Sequence, residues 1–566
     1  MRHLLLCVIL AAISAPAQAV PNIVFIISDD QSPATVSAYG TTVGNIRTTN
    51  IDRIAAAGVK FTHAFAVNPV CGPSRASFWT GKYSHMNGTF DNGSVGANDF
   101  NASQQTLQKL LHAAGYQTAI FGKWHFETRP TAGTGWDYWK VGSTSQTFYD
   151  NPSWDINGVV TQETGYVTDL NAESAIAWMD ARNTAAPFFV VISQKAPHDP
   201  FVPRPGDESL FTTDIAHPPT FDERTLSSRA LPAQGRGVFL RPALLNTWQQ
   251  AVWVAARPTG HGKNSMPGGL TEAQKDDWIF QQYVKDYLRC VQSLDDSVGE
   301  VLDYLNAESC SPSCSGSLAS NTLVIFTSDN GMLLGDYFAQ SKLRPEEPSI
   351  RIPLLMQFPT GGSDAIAAGT TDAHFATTVD IAPTILAYAG VSIPTDMQGA
   401  SLEDLVDGSV PTTWRESVYI HTYQEGASAT ATVPYYALRT SRYKLIRYYG
   451  QRWGGQPAWE LLDLEADPDE LTNVYDDAQY ASVVQQLKAE IGDWQDVLGI
   501  GRTIPECVGD MNGDGVIAWP DVFAVHTCIG SLAEGGCLAA DFDGNGSVTI
   551  FDYLSTAQAF GQTCAQ

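Results

Sequence analysis

The most reactive residue combination in the sequence lies in NPVCGPSRASFWTGKY, where the thiol of Cys71 is followed by the hydroxyl of Ser74 and the guanidinium of Arg75. Pro73 suits the first turn of a helix and Gly81 its stop, which predicts a helix continuing through Phe78. Cys71 then sits at a helix N-terminus, where the dipole and the free backbone N–H groups favour an anion. A lone cysteine is more often a small buried hydrophobe or half of a disulfide, so its neighbours must decide the chemistry.

Those neighbours gather at the ends of four apolar runs. IVFII (23–27) leads into Asp29 and Asp30, TAIF (118–121) into Lys123 and His125, FFVVI (188–192) into Lys195, His198 and Asp199, and LVIFT (323–327) into Asp329 and Asn330. Crowded carboxylates repel one another unless a cation neutralises them, and an all-oxygen set suits a hard divalent ion, Ca2+ or Mg2+. Taken singly, each Asp reads first as a helix cap or a turn residue, and each His as a satisfied loop histidine. Their joint occurrence at strand ends is what points to a site.

The elements that must position these residues are of α/β type. Short apolar runs alternate with helical patterns (50–57, 105–114, 279–305), the signature of a mainly parallel central sheet flanked by helices, with ligands bound at the carboxyl ends of the strands. Residues 200–269 are rich in Pro and Gly and read as a long insertion dominated by loops. After about residue 394 the pattern changes to short strands, SVYIHTY, YYALRT, YKLIRYY and WELLDL, and then a helix over 481–498. That predicts a smaller antiparallel subdomain. The expected organisation is a signal segment over 1–19, a catalytic domain over 20–395, a C-terminal subdomain over 396–500 and a separate tail over 501–566.

The N-terminus has a basic start at Arg2, an apolar run from Leu4 to Ile13 and a small-residue cleavage site at 17–19, so export is expected. A lipoprotein anchor at Cys7 fits less well, because Leu6 stands where a small residue is needed. No later stretch carries about twenty uninterrupted apolar residues, so no membrane span is expected. The 566 residues carry 33 Lys plus Arg against 60 Asp plus Glu, a formal charge of −27, which argues against nucleic acid as a partner. An anionic substrate must therefore be held by local cations. Export makes disulfides plausible: Cys310 and Cys314 share a tight loop, Cys507, Cys528, Cys537 and Cys564 cluster in the tail, and Cys290 is left as a buried thiol.

Cys71-Gly72-Pro73-Ser74-Arg75, followed by Thr80-Gly81, resembles the C-x-P-S-R-x4-T-G signature of type I sulfatases, members of the alkaline phosphatase superfamily. The resemblance runs from about residue 21 to about residue 490. It implies an alkaline-phosphatase-like fold and a maturation enzyme that converts Cys71 to formylglycine. It also implies one Ca2+ held by Asp29, Asp30, Asp329, Asn330 and the modified Cys71. By position, Arg75 matches the arginine that orients the formylglycine hydrate, Lys123 and His125 the family's K-x-H, His198 its sulfate-binding histidine, and Lys342 the lysine ahead of PEEPSIRIPLL.

The resemblance further implies a geminal diol of which one hydroxyl attacks sulfur. His125 takes the proton as the second hydroxyl expels sulfate, and His198 or Lys342 protonates the leaving alcohol. GKYSHMNGTFDNG, FGKWHFETRPTAGTGWDYW and SQKAPHDPF look most like sulfatases acting on N-acetylglucosamine-6-sulfate in glycosaminoglycans, with marine sulfated polysaccharides as a further possibility. Exo-acting removal of a terminal 6-O-sulfate is the expectation, with His85, Asp91 and Asn92 as candidate sugar contacts. Two rivals stand beside this reading: a phosphate or phosphonate ester hydrolase of the same superfamily, and a non-catalytic surface protein that binds carbohydrate.

In the tail, DMNGDGVIAWPD (510–521) and DFDGNGSVTIFD (541–552) repeat the oxygen and glycine positions of an EF-hand calcium loop. Asp510, Asn512, Asp514 and Asp521 form one candidate Ca2+ site; Asp541, Asp543, Asn545 and Asp552 form the other. The pairing resembles dockerin type I repeats, which implies a small α-helical unit and a cohesin-like scaffold as partner.

Overall fold

In the computed structural model the described residues are 20–40, 43–92, 100–144, 148–230, 232–233, 238–239, 267–311, 316–359, 368–406, 414–423, 433–449 and 458–500. The signal segment, residues 231, 234–237 and 240–266 of the loop insertion, Cys314, and the tail with its two candidate calcium loops lie outside them.

Strands β1 (Asn22–Ser28), β2 (Val59–Phe65), β3 (Gln117–Gly122), β4 (Tyr138–Gly142), β5 (Ser153–Ile156), β6 (Val159–Gln162) and β7 (Phe188–Ser193) are followed by a short β8 (Val238–Phe239). Then come β9 (Thr322–Ser328), β10 (Leu333–Leu334), β11 (Ala339–Ser341), β12 (Leu354–Gln357) and β13 (Thr370–Thr377). One ten-stranded sheet has the order β13-β2-β12-β9-β1-β7-β3-β4-β5-β6. Every residue of β1 is buried, as a central strand covered on both faces requires. Its side chains alternate: Val24 and Ile26 join the core under helices Ile51–Ala57, Val167–Asp180 and Glu272–Ala307, whereas Ile23, Phe25 and Ile27 join the core under helices Cys71–Thr80, Leu107–Ala113 and Ile381–Tyr388.

The centre of the sheet is parallel from β9 through β1, β7 and β3 to β4, which puts four chemistry-bearing strand ends on one edge. The expectation of a mainly parallel sheet needs correction at both flanks. Strand β12 runs antiparallel to β2 and β9, and β4, β5 and β6 form an antiparallel meander, so the sheet is mixed. At the meander the cause is local: β5 and β6 are joined by Asn157-Gly158 with φ 49 and 87, the two positive values that a tight hairpin turn demands.

Strands β14 (Ser417–Thr422), β15 (Tyr435–Thr440), β16 (Tyr443–Tyr448) and β17 (Ala458–Asp463) form the expected antiparallel sheet. Its apolar face, with Val418, Ile420, Ala437, Ile446 and Leu462, packs on Phe65, Ile350 and Phe375. The long helix starts earlier than the sequence pattern suggests, at Glu272, because Thr271 and Gln274 form a capping box. Cys310 is disulfide-bonded, and Cys290 is a buried cysteine outside any disulfide.

Gly122 ends β3 one residue before Lys123, with φ 101, and a Cβ there would stand 2.0 Å from the Ser193 carbonyl oxygen and 2.8 Å from Asn171 Nδ2. Gly122→Ala is expected to destabilise the fold by about 1–3 kcal/mol. Denaturant unfolding of the two proteins measures it.

Candidate active site

The strand ends converge as the α/β pattern requires. Asp29 and Asp30 follow β1, Lys123 and His125 follow β3, His198 follows β7, and Asp329 and Asn330 follow β9. Cys71 is the first residue of the helix Cys71–Thr80, which ends on Gly81 in the left-handed region. The whole helix is buried, including Arg75. At its N-terminus the Gly72 N–H donates to Asn92 Oδ1 at 2.8 Å. A side chain at position 72 would meet that oxygen and His125 Cδ2, each at 3.2 Å, so glycine keeps this end open.

Around Cys71 the contacts are dense. Lys342 Nζ lies 2.7 Å from Cys71 Sγ and 2.6 Å from Asp30 Oδ1, and Cys71 Sγ lies 3.9 Å from the same oxygen. Asn330 Nδ2 donates to Asp30 Oδ1 at 2.8 Å. Asp29 Oδ2 is paired with Lys123 Nζ at 2.5 Å. Arg75 reaches Asp329 Oδ2 through Nε at 2.9 Å and Nη2 at 2.8 Å, and its Nη1 donates to Ser193 Oγ at 2.5 Å. Asp329 Oδ1 accepts the backbone N–H groups of Asp30 at 3.1 Å and Asn330 at 2.9 Å. His198 Nε2 is 3.6 Å from Asp30 Oδ2, while its Nδ1 is 2.8 Å from Asp199 Oδ1.

Asp29, Asp30, Cys71 and His198 each offer a ligand atom within one 4.8 Å cluster. Asp29 Oδ1 and Asn330 Oδ1 are buried and accept no hydrogen bond. Two unsatisfied oxygens beside further carboxylates fit a hard cation and explain how such atoms are tolerated in the interior. Asp329 differs in that both of its oxygens already accept from Arg75 and from the backbone, so in this geometry it braces the loop ends.

The electrostatics separate the titratable groups. Burial alone raises Asp29, but Lys123, His198 and Arg75 outweigh it and hold the carboxyl well below the usual range. Burial and the neighbouring Asp29 push Asp329 up to about 6 in spite of Arg75. Burial, reinforced by Lys123 and Arg75, holds His125 well below the usual imidazole range, so it is a neutral proton acceptor. For His198 burial is outweighed by Asp29 and Asp30, which push it up to about 10. Burial likewise opposes charge on Lys342, and Asp30 and Cys71 overcome it, keeping the ammonium protonated.

Of the candidate sugar contacts, Asn92 caps the nucleophile helix, and His85 Nε2 stands 3.4 Å from Gln398 Nε2. Asp91 lies between them in sequence, and its carbonyl oxygen would be 3.4 Å from a Cβ at Gly72. Sequence reasoning missed three supports. Tyr287 OH donates to the Asp30 carbonyl at 2.7 Å, Tyr149 OH to the His198 carbonyl at 2.7 Å, and Ser193 Oγ to the Lys123 carbonyl at 2.6 Å. Only Ser193, the last residue of β7, carried a positional signal.

A buried nucleophile precursor at a helix N-terminus, ringed by carboxylates and cations on parallel strand ends, defines a hydrolase of anionic esters. The family model described as Sulfatase matches residues 21–391, and the one described as N-sulphoglucosamine sulphohydrolase, C-terminal, matches residues 337–496. The chain belongs to the sulfatase family, formylglycine-type enzymes of the alkaline phosphatase superfamily, and is a sulfuric ester hydrolase. It is 35% identical over 501 residues to the N-acetylglucosamine-6-O-sulfatase of Bacteroides thetaiotaomicron, covering 82% of this chain and 85% of that protein. Human N-acetylglucosamine-6-sulfatase is 26% identical, with 80% and 81% covered. A solved structure described as in complex with its substrate D-glucosamine-2-N,6-O-disulfate superimposes with a TM-score of 0.76 at 32% identity, covering 85% of this chain and 99% of that one.

Arg75→Ala removes the partner of Asp329 and one of the cations beside Asp29, both fully buried, and is expected to cost about 3–5 kcal/mol of stability with loss of activity. Thermal unfolding and sulfate release measure the two effects.

A pH effect follows from His198. Its folded pKa, about 10, lies above the ordinary 6.5, so its contribution to stability is full below pH 6.5 and is lost as pH rises through 10. A bound divalent cation works against that shift. The chelated protein is therefore expected to lose stability between pH 6.5 and 10, with a shallower loss in His198→Gln, as read from Tm against pH.

Proposed function

We propose that the protein is an exported, Ca2+-dependent exo-sulfatase that removes the 6-O-sulfate of terminal N-acetylglucosamine or a related glucosamine residue in glycosaminoglycans or similar sulfated polysaccharides. The observation that carries the sulfatase chemistry is the convergence of Cys71, Lys342 and Asp30 on one point. The substrate class rests on the relatives and on the disulfated glucosamine complex described above.

Cys71 Sγ marks where the oxygens of formylglycine stand after maturation. The modified residue would supply a geminal diol as nucleophile; Asp29, Asp30 and Asn330 would hold Ca2+, with Asp329 bracing the loop ends, and the ion would supply positive charge for the sulfate oxygens. This chain's own groups do the rest. Lys342, kept protonated, faces the nucleophile and can give a proton to the leaving alcohol, with His198 as the second donor on the same side. His125, kept neutral beside the helix N-terminus, can accept the proton released when the hydrate expels sulfate. Lys123 and Arg75 hold the carboxylates in place and offset their charge.

The basic start, apolar run and small-residue site within 1–19 support export to the periplasm or cell surface. The two calcium-loop motifs in the tail sequence support attachment to a cohesin-like scaffold, with a stabilising appendage as the alternative. No helix among the described residues is long and apolar enough to cross a membrane.

The deciding experiment uses protein from a host with the maturation enzyme. Peptide mass spectrometry across Cys71 is expected to find the aldehyde; thiol alone sinks the mechanism. The matured enzyme is expected to release sulfate from N-acetylglucosamine-6-sulfate and to prefer aryl sulfate over aryl phosphate. A large phosphate preference points to the ester-hydrolase rival. Cys71→Ala is expected to lower kcat by roughly three orders of magnitude or more, and full retention of carbohydrate binding without any turnover in the native protein points to the non-catalytic rival. Chelation is expected to abolish turnover, with Ca2+ restoring it better than Mg2+.

A further inference from the structure

The short segment that carries Lys342 runs directly into a buried charge network to which the small antiparallel sheet gives Arg439, Lys444 and Glu460. Leu343, the next residue, has φ 66, a left-handed conformation that a branched side chain adopts only when its surroundings impose it. Beyond it, Glu346 accepts from Arg344 at 2.9 and 3.0 Å and faces Arg229 at 3.4 Å. Glu347 accepts from Arg439 of β15 at 2.9 and 3.2 Å and lies 2.9 Å from Lys444 of β16. Arg229 forks onto Glu460 of β17 at 2.8 and 2.6 Å. Four cations thus meet four carboxylates, the fourth being Glu470, and none of these side chains is more than 16% exposed.

Two side chains of this network grip the main chain that follows Lys342. Lys444 Nζ donates to the Pro345 carbonyl at 2.6 Å and pairs with Glu470 Oε1 at 2.5 Å. Glu470 Oε2 in turn accepts the backbone N–H of Glu347 at 2.7 Å. The clamp closes three residues from Lys342, whose long side chain must deliver its ammonium to both Cys71 Sγ and Asp30. Buried ion networks are weak contributors to stability compared with apolar packing, and they have a better attested use in fixing one geometry.

We propose that Lys444 and Glu470 are positioning residues for the sulfatase reaction: by clamping the backbone at Pro345 and Glu347, the small sheet sets where the Lys342 ammonium meets the nucleophile. The proposal rests on the reading above that Lys342 acts in catalysis.

A double-mutant cycle tests it, with kcat/KM for an aryl sulfate measured on the matured full chain. Lys444→Met is expected to lower kcat/KM roughly tenfold to a hundredfold, chiefly through kcat, as a small misplacement of a catalytic group does. In a Lys342→Ala background the same change is expected to add less than about a twofold loss, because the group it positions is gone. An equal factor in both backgrounds, or no loss in the first, overturns the positioning role and leaves Lys342 in the site. No loss from Lys342→Ala alone overturns the role of Lys342 and the proposal with it. Should Lys444→Met fail to fold, the near-isosteric Glu470→Gln carries the same cycle with the same outcomes.

Discussion

Mutual repulsion among buried carboxylates is the constraint on which the rest of this structure depends. Asp29, Asp30 and Asp329 are at most 2% exposed and share their hydrogen-bond donors. Two like charges about 4 Å apart repel by about 4 kcal/mol even at an effective dielectric of 20. The fold answers with Arg75, Lys123 and Lys342, brought from a helix and two separate loops, and with backbone N–H groups aimed at Asp329. One carboxylate oxygen, Asp29 Oδ1, and one amide oxygen, Asn330 Oδ1, accept no hydrogen bond from the protein, and this pair matches the demand of a divalent ion. Metal binding and folding of this corner are therefore one problem: the groups that would ligate the ion are those whose charge must otherwise be offset internally.

Meeting that constraint requires backbone conformations that side chains disfavour. Asp30 has φ 64 and His125 φ 81, both in the left-handed region. Tyr287 fixes the Asp30 carbonyl, and Lys123 N–H donates to the Ser193 carbonyl at 2.7 Å on the chain leading to His125. Such conformations persist only where the surroundings over-determine them. This explains why a tyrosine in the middle of a 36-residue helix belongs to the site as much as the residues that face the nucleophile.

Much of this was legible before any coordinates. Apolar runs that end in Asp, Lys or His give β1, β3, β7 and β9 to within about two residues, because a central strand buried on both faces has no polar position until it stops. The helix Ala481–Leu498 and the four strands of the small sheet follow from period alone. The flanks of the large sheet do not, since the direction of β12 depends on tertiary neighbours and the strands on either side of Asn157-Gly158 are only four residues long. Within the site, the residues that the structure brings together around Cys71 stand out in the sequence by type and spacing. The supports do not, because Tyr149 and Tyr287 look like ordinary core aromatics, and Glu347, Lys444 and Glu470 look like solvated charges until the fold buries them.

The electrostatics of the whole chain bear on how substrate arrives. With a formal charge of −27, the protein repels a polyanionic saccharide at long range, an effect screened beyond about 8 Å at physiological ionic strength. The attraction that opposes it is confined to a few cations at the strand ends, and Lys123 and Arg75 are already engaged with carboxylates there. Among the described residues at this point, Lys342 and His198 have side chains 17% and 12% exposed. A field of that shape favours a single sulfate group entering end-on at a chain terminus over capture of a long sulfated chain along a surface. The exo action proposed above is compatible with such a field.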